Sequence, residues 1–593
     1  MTSVAILGGG VAGLTAAHEL IERGFSVTLY EGRTSAGGKA RSQPVPGTGT
    51  AGRRDLPGEH GFRFYPSFYR HVIDTMRRTP DGRGGTVADA LRPTTESAIA
   101  GKDDTTWTRF SRKRLTKPYE IVEVLELFFQ DLDVSVGDVS LFTAKVLQFL
   151  TSCDARRDGE YEPLSWWQYL HGDAYGANFQ KQLRAIPRTM VAMDPQRGSA
   201  RTIGRISMQL LLDFAESGAS TDRTMGGPTS EMWLDPWVDY LRDRGVVVHT
   251  GAPATAVHVG AGQVTGVDVT GHGTVTADHY VLAVPIDVVG GLISPALGAL
   301  DPQLERLRTA VVDDLVSWMV GLQFFLYEDV PLVRGHLYYP DSPWALTTIS
   351  QAQFWDVGGL FRRRYGDGSV GGIISVDISD WDTPGTYVGK PARLCTPAEV
   401  ADEVWHQLKD GLNGAGVGEQ ILRDELLHSW HLDADLDYSG GVPPRNDARL
   451  LVHPPGSFAQ RPTAASLVPN LVLAGDYVQT GTDLASMEGA NEAARRAINA
   501  VLDRAGWVGP RAGVWALEEP RQFAVWKRLD AALHARGKRH LFELLGLGRA
   551  DGVLKVMRTI SQLTGLDRLD DAVDHVHVTE LIDRALRHLG LIH

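Results

Sequence analysis

Residues 4–31 constrain the fold more than any other stretch. Val4-Ala5-Ile6-Leu7, an apolar run of strand character, leads directly into Gly8-Gly9-Gly10-Val11-Ala12-Gly13, and an amphipathic helical pattern continues to about Arg23. A second apolar run, Ser26-Val27-Thr28-Leu29-Tyr30, ends at Glu31. Strand, glycine turn, helix, strand and acid in this order specify a dinucleotide-binding βαβ unit. Gly8 permits the tight turn, Gly10 lets the backbone approach a pyrophosphate, and Gly13 lets the helix pack on the strand. The helix start, with Ala12 in its first turn, faces the phosphates, where its dipole favours negative charge. Glu31 is placed to accept hydrogen bonds from an adenosine ribose, and its charge disfavours a 2′-phosphate there.

The next residues select among dinucleotides. Glu31 is followed by Gly32-Arg33-Thr34-Ser35-Ala36-Gly37-Gly38-Lys39-Ala40-Arg41. A second glycine pair with cations beside it suits FAD, which lies extended through its protein, better than NAD. Far downstream, Leu471-Val472-Leu473-Ala474 precedes Gly475-Asp476, and Leu484-Ala485-Ser486-Met487-Glu488-Gly489-Ala490 opens a long helix. With these motifs the chain resembles the superfamily of FAD-dependent amine oxidases, protoporphyrinogen oxidases and phytoene desaturases. The resemblance implies that Gly32, Gly38, Lys39 and Arg41 lie along the cofactor and that Val257 clasps the adenine through its backbone. It also implies that Gly475 and Asp476 close over the pyrophosphate and ribityl chain. Ser486, Met487, Glu488 and Ala490 would then present a helix N-terminus to the flavin.

Within that superfamily the 484–490 motif, and the segment Glu59-His60-Gly61-Phe62-Arg63-Phe64-Tyr65, look most like plant-type phytoene and zeta-carotene desaturases and hydroxysqualene dehydroxylases. Amine oxidases usually place an aromatic just before the final helix; here Leu484 and Met487 occupy that neighbourhood. The C-terminal motif contains no cysteine, so the expected FAD is non-covalent. His60, Arg63 and Tyr65 are the candidates for the catalytic surface, His60 as an acid or base; no metal motif is visible. The expected activity is FAD-dependent dehydrogenation of a small hydrophobic substrate, isoprenoid or polyene, with oxygen or a quinone as electron acceptor. Oxidation of an amine or amino-acid-like metabolite and a redox-neutral isomerase or dehydroxylase remain open alternatives. So does a binding protein without turnover.

The implied fold class is α/β: a discontinuous Rossmann-like FAD-binding domain (1–85, 224–286 and 453–508), an inserted α+β substrate-binding domain (86–223 and 287–452) and a helical C-terminal extension (509–593). Aromatics such as Trp166, Phe324, Tyr339, Trp344 and Trp355 fall in the insert, where they suit an apolar substrate or an ordinary core. A net charge of −13 disfavours nucleic acid as a partner. Two cysteines, Cys153 and Cys395, form no disulfide framework. The early strand leaves no room for a cleaved leader, and no apolar run reaches the ~18 residues of a membrane span. A cytoplasmic protein is expected, with peripheral membrane contact through Arg112, Lys113, Arg114 and Lys117 as one option. Oligomeric state is left open.

Overall fold

A computed structural model of the chain describes residues 1–100, 108–109, 129, 134–215, 222–355, 359–413, 420–519, 523–546, 548 and 552–553. The basic cluster at 112–117 and the tail helices expected beyond 550 lie outside the described residues, apart from 552–553.

The glycine turn joins β1 (Ser3–Leu7) to α1 (Val11–Ile21), which returns the chain to β2 (Ser26–Glu31). Three later strands complete a five-stranded parallel sheet: β3 (Val247–Thr250), β4 (His279–Leu282) and β5 (Leu471–Leu473), in the order β3-β2-β1-β4-β5. Parallel strands need covered faces, and β1 and β4 accordingly carry continuous buried runs. Helix α1 is buried from Val11 to Leu20 and packs against the late helix α3 (Met487–Arg504), while α2 (His71–Arg78) lies against α3 as well. Asn491 of α3 joins the three helices, its amide donating to Thr15 Oγ1 at 2.9 Å and Thr75 Oγ1 at 3.0 Å.

A second sheet has seven strands in the spatial order 427–432, 320–326, 372–378, 346–350, 335–338, 96–99 and 108–109. All pairings are antiparallel except 335–338 with 96–99. Strands Val320–Leu326 and Gly372–Ile378 are buried at every residue because both faces are covered. One face sends Leu322, Phe324, Ile374 and Val376 into a core with Val404, Trp405 and Leu408 of helix Pro397–Leu412. The other sends Phe325, Ile349 and Ile373 against Leu56, Phe354, Trp355 and Phe361. Phe324, Tyr339, Trp344 and Trp355 are thus core residues, which is the ordinary role for aromatics in such strands.

Contacts divide the chain into two compact units, and the division departs from the sequence boundaries. One unit holds residues 1–109, 185–194 and 220–517, so the nucleotide-binding sheet and the seven-stranded sheet belong together. The other holds 110–184, 195–219 and 518–593, so the helical insert groups with the tail and not with 287–452. Ion pairing gives the reason. In this second unit the buried Arg156 guanidinium meets Asp530 of helix Ala524–Ala535 at 2.9 Å, and Arg157 meets Glu519 at 2.6 Å. A buried guanidinium left without its carboxylate is strongly unfavourable, so each pair fixes the tail to the insert.

The tightest contact of the βαβ unit is at Gly13, where a Cβ would lie 1.9 Å from the Gly8 carbonyl oxygen. Gly13→Ala is therefore expected to destabilise this unit by more than about 2 kcal/mol, read as a lower denaturant midpoint with unchanged far-ultraviolet dichroism. A midpoint equal to the parent's would refute this packing.

Candidate cofactor and active site

The turn after β1 is built for a ligand on its outer side. Gly8 has φ +104°, and a Cβ there would sit 2.3 Å from the Ala283 carbonyl oxygen, so only glycine turns here. At Gly10 the nearest atom to a Cβ would be 3.8 Å away, leaving the backbone open. Helix α1 starts at Gly10 with no side-chain cap and no acid in its first turn, which leaves its first amides for an anion. Glu31 accepts from Gly9 N at 2.6 Å and from Arg33 N at 2.7 Å, pinning the turn to the end of β2. Its carboxylate retains acceptor capacity for a ribose. Asp476, just after β5, makes no hydrogen bond or ion pair among the described residues. This free carboxylate, the open Gly10 and the uncapped helix together fit FAD.

Other expected cofactor contacts are engaged within the protein. Gly37 N donates to Gly9 O at 2.8 Å, and a Cβ on Gly38 would lie 3.1 Å from the Gly10 Cα, so the second glycine pair packs on the first. Gly32 lies against Pro253, 3.2 Å from a would-be Cβ. Lys39 Nζ donates to the Arg449 carbonyl, and Arg41 pairs with Asp435 at 2.6 Å. Val257 is buried and pairs with Val267 in the edge strand Ala254–Gly260, which leaves that strand's outer edge unpaired within its three-stranded sheet. A Cβ on Gly475 would lie 2.9 Å from the Tyr477 ring.

At the start of α3, Ser486 is the N-cap, accepting from Gly489 N at 3.1 Å, while Ala490 N bonds to Ser486 O and Met487 stays half-buried. Ala12 is buried in α1. Glu488 is engaged by the start of α2. Its carboxylate accepts from Arg70 N (2.7 Å), His71 N (2.8 Å), Val72 N (2.9 Å) and His71 Nδ1 (2.6 Å), capping α2 from outside its own chain segment. His71 Nε2 in turn accepts from Trp515 N at 2.9 Å, which fixes the proton of a neutral ring on Nδ1.

The segment 59–65 crosses one end of the seven-stranded sheet. A Cβ on Gly321 would lie 2.3 Å from the His60 carbonyl oxygen, and one on Gly61 2.5 Å from Asp377 Oδ1, so backbone rests on backbone. His60 Nδ1 pairs with Asp433, which also accepts from Gln43 Nε2 at 2.6 Å. Burial pushes the Asp433 carboxyl up, but His60 and the surrounding donors hold it at about 2. Arg63 donates to Gly61 O and Lys39 O, both at 3.0 Å, and lies 3.4 Å from Glu59 Oε2. Tyr65 is fully buried against Trp233, and burial raises its phenol further. His60, Asp433 and Asp435 are close enough to ligate a cation, yet Asp433 is matched by His60, and Asp435 by Arg33 and Arg41.

Beneath this segment the sheet presents a buried polar face. Its register sets His431, Gln323, Ser375, Ile349, His336 and Ser97 in one row, with Gly321, Asp377 and Thr347 in the next. Among the described residues, Gln323 Oε1, Ser97 Oγ, both nitrogens of His336, Asp377 Oδ1, Arg63 Nε and the Tyr65 hydroxyl have no hydrogen-bond partner, although Asp222 lies 3.5 Å from His336 Nδ1. Phe62 and Phe64 pack on His336, with ring centroids 5.1 Å and 4.8 Å away. Buried polar groups in such numbers call for partners from water, an ion or a ligand. Gln323, His336, Asp377 and Asp433 were not singled out from sequence. Only the alternation of Ser375 and Asp377 with Ile374, Val376 and Ile378 signalled a polar face.

Comparison with known proteins gives a consistent picture. The flavin containing amine oxidoreductase family matches residues 207–502, and an NAD(P)-binding Rossmann-like domain matches 6–79. The carotenoid phi-ring synthase of Streptomyces griseus is 26% identical over 548 residues, covering 89% of this chain and 93% of its own. The zeta-carotene desaturase of a Synechocystis strain is 25% identical over 533 residues, covering 84% and 97%. Among solved structures, the cyclohexylamine oxidase of Brevibacterium oxydans shares the fold with a TM-score of 0.56 at 14% identity, covering 85% of this chain and 99% of that one.

The Glu488 cap generates a prediction. Glu488→Ala should cost about 3 kcal/mol by orphaning three buried amides, equally in the apoprotein and in the FAD-loaded protein. Destabilisation confined to the loaded protein would show instead that Glu488 serves the cofactor.

Proposed function

Because the chain belongs to the superfamily of FAD-dependent amine oxidases and phytoene desaturases, we propose that this FAD-dependent oxidoreductase dehydrogenates a carotenoid-like polyene. One observation carries the reading. Carotenoid enzymes align over 84% to 89% of this chain and nearly the whole of their own, whereas the likeness to the solved cyclohexylamine oxidase, at 14% identity, is one of fold. The start of α3 supports it, since Leu484, Ala485 and Met487 present aliphatic surface where an amine oxidase would bring an aromatic wall.

FAD, when bound, supplies the hydride acceptor. The residues of this chain do the rest. The Gly8–Gly13 turn and the N-terminus of α1 hold the pyrophosphate, Glu31 the ribose, and Asp476 a ribityl hydroxyl. The N-terminal dipole of α3 would favour negative charge on a flavin ring bound beside it. The absence of cysteine from residues 453–508 and the burial of Cys395 in the core of the seven-stranded sheet support a cofactor held without a thioether link. The floor of that sheet and residues 59–65 exclude water and orient the substrate. A quinone or oxygen removes the electrons afterwards.

A second reading, amine oxidation, is favoured by the family match over 207–502. Anaerobic titration of the purified protein separates the two. The expected result is a yellow protein that releases FAD on denaturation and is bleached by a carotenoid-type polyene. Bleaching by amines alone would overturn the proposal. Peroxide formed on reoxidation in air would identify oxygen as the acceptor.

A further inference from the structure

Resting on the polyene reading, we infer that Asp377 is the group that takes the proton from the carbon beside the one that loses hydride, and that the His60–Asp433 pair is a fixed positioning device. The geometry is a cluster around one point. Gly61 lies directly on Asp377 and His60 directly on Gly321, the residue paired with Asp377 across the sheet. Two carboxylates therefore flank the same two residues of the crossing segment in opposite circumstances. Asp433 is matched by His60, Gln43 Nε2 and the Asp435 amide. Asp377 has one oxygen directly against Gly61 and, among the described residues, without a hydrogen-bond partner.

The charges that face Asp377 are few. The segment above contributes Arg63, which draws its carboxyl down; the flanking strands contribute Gly321 and Thr347, and its own strand Ser375, all uncharged. Burial outweighs Arg63 and pushes the carboxyl up to about 7. A site with one carboxylate held ionised and a neighbour poised near neutrality divides its work into a fixed charge and a proton carrier. His60 is held against Asp433 through Nδ1, which fixes its ring in place.

The step balances. One substrate C–H bond gives its hydride, with both electrons, to oxidised FAD. The neighbouring carbon gives a proton to the Asp377 carboxylate, and the electrons of that second C–H bond close the new double bond. Because the carboxylate must be ionised, flavin reduction should accelerate as pH rises through about 7.

The test uses the FAD-loaded full chain. Asp377→Asn should keep yellow FAD and bind the polyene with unchanged affinity, yet reduce the flavin about 100-fold or more slowly and lose the rise with pH. The infrared band of a protonated carboxyl, titrating near pH 7 in the parent, should vanish in this variant. Reduction within threefold of the parent, or a retained rise with pH, overturns the role of Asp377. Should the Asn variant fail to hold FAD, Asp377→Glu decides: at least a tenfold slower reduction with a displaced pH midpoint supports the role, and parental behaviour refutes it. Wild-type flavin left unreduced by every polyene would sink the polyene reading itself, which the variants do not.

Discussion

At the crossing of residues 60–61 over the seven-stranded sheet there is no space for a side chain on either partner. Gly61 and Gly321 let two backbones touch, and the rest of the site follows from that contact. It sets His60 against Asp433, lays Gly61 over Asp377 and carries Phe62 and Phe64 onto His336. A methyl group at Gly321 would lift the segment away and separate these pairs together, whereas one at Gly61 would meet the Asp377 carboxylate. Arg63 then anchors the far side by donating to two carbonyls, so it holds the segment as much as it supplies charge.

The polar face beneath is costly in isolation. Each buried donor or acceptor without a partner costs about 1–3 kcal/mol, and Gln323, His336, Asp377 and Ser97 all contribute. The apolar halves of the same strands offset this. Leu322, Phe324, Ile374 and Val376 point the other way, into a continuous core under helix Pro397–Leu412. The sheet is therefore a rigid plate with one dry side and one chemically loaded side, which is how a fold keeps reactive groups positioned without a ligand to order them.

What was legible in the sequence is what local chemistry writes locally. The Gly8–Gly13 turn, Glu31, the strand before Gly475 and the helix from Met487 each depend on neighbours a few residues away, and all four stand where the spacing puts them. The second glycine pair was visible but its partner was not. Gly38 is small because Gly10 passes beside it, a tertiary fact. Glu488 sits at the expected helix start, yet its carboxylate serves residues 70–72, more than 400 positions away. Asp377 and Asp433 gain meaning only from strand register, which no window on the sequence contains. The grouping of the helical insert with the tail rests on Arg156 and Arg157, whose partners Asp530 and Glu519 lie far along the chain.

The strap that follows α3 bears on how the molecule is made. Residues 507–517 cross back over the nucleotide-binding unit, with Trp515 between Arg70 and Arg495, its amide on His71, and Gly513 accepting from Arg495. In the chain, β1 precedes its neighbour β4 and the outer β5 by hundreds of residues. The parallel sheet thus cannot close during most of translation. Until β4 emerges the nascent chain carries an unpaired edge on β1, and until α3 emerges it carries the face of α1 that α3 covers, conditions that make a growing chain prone to aggregate.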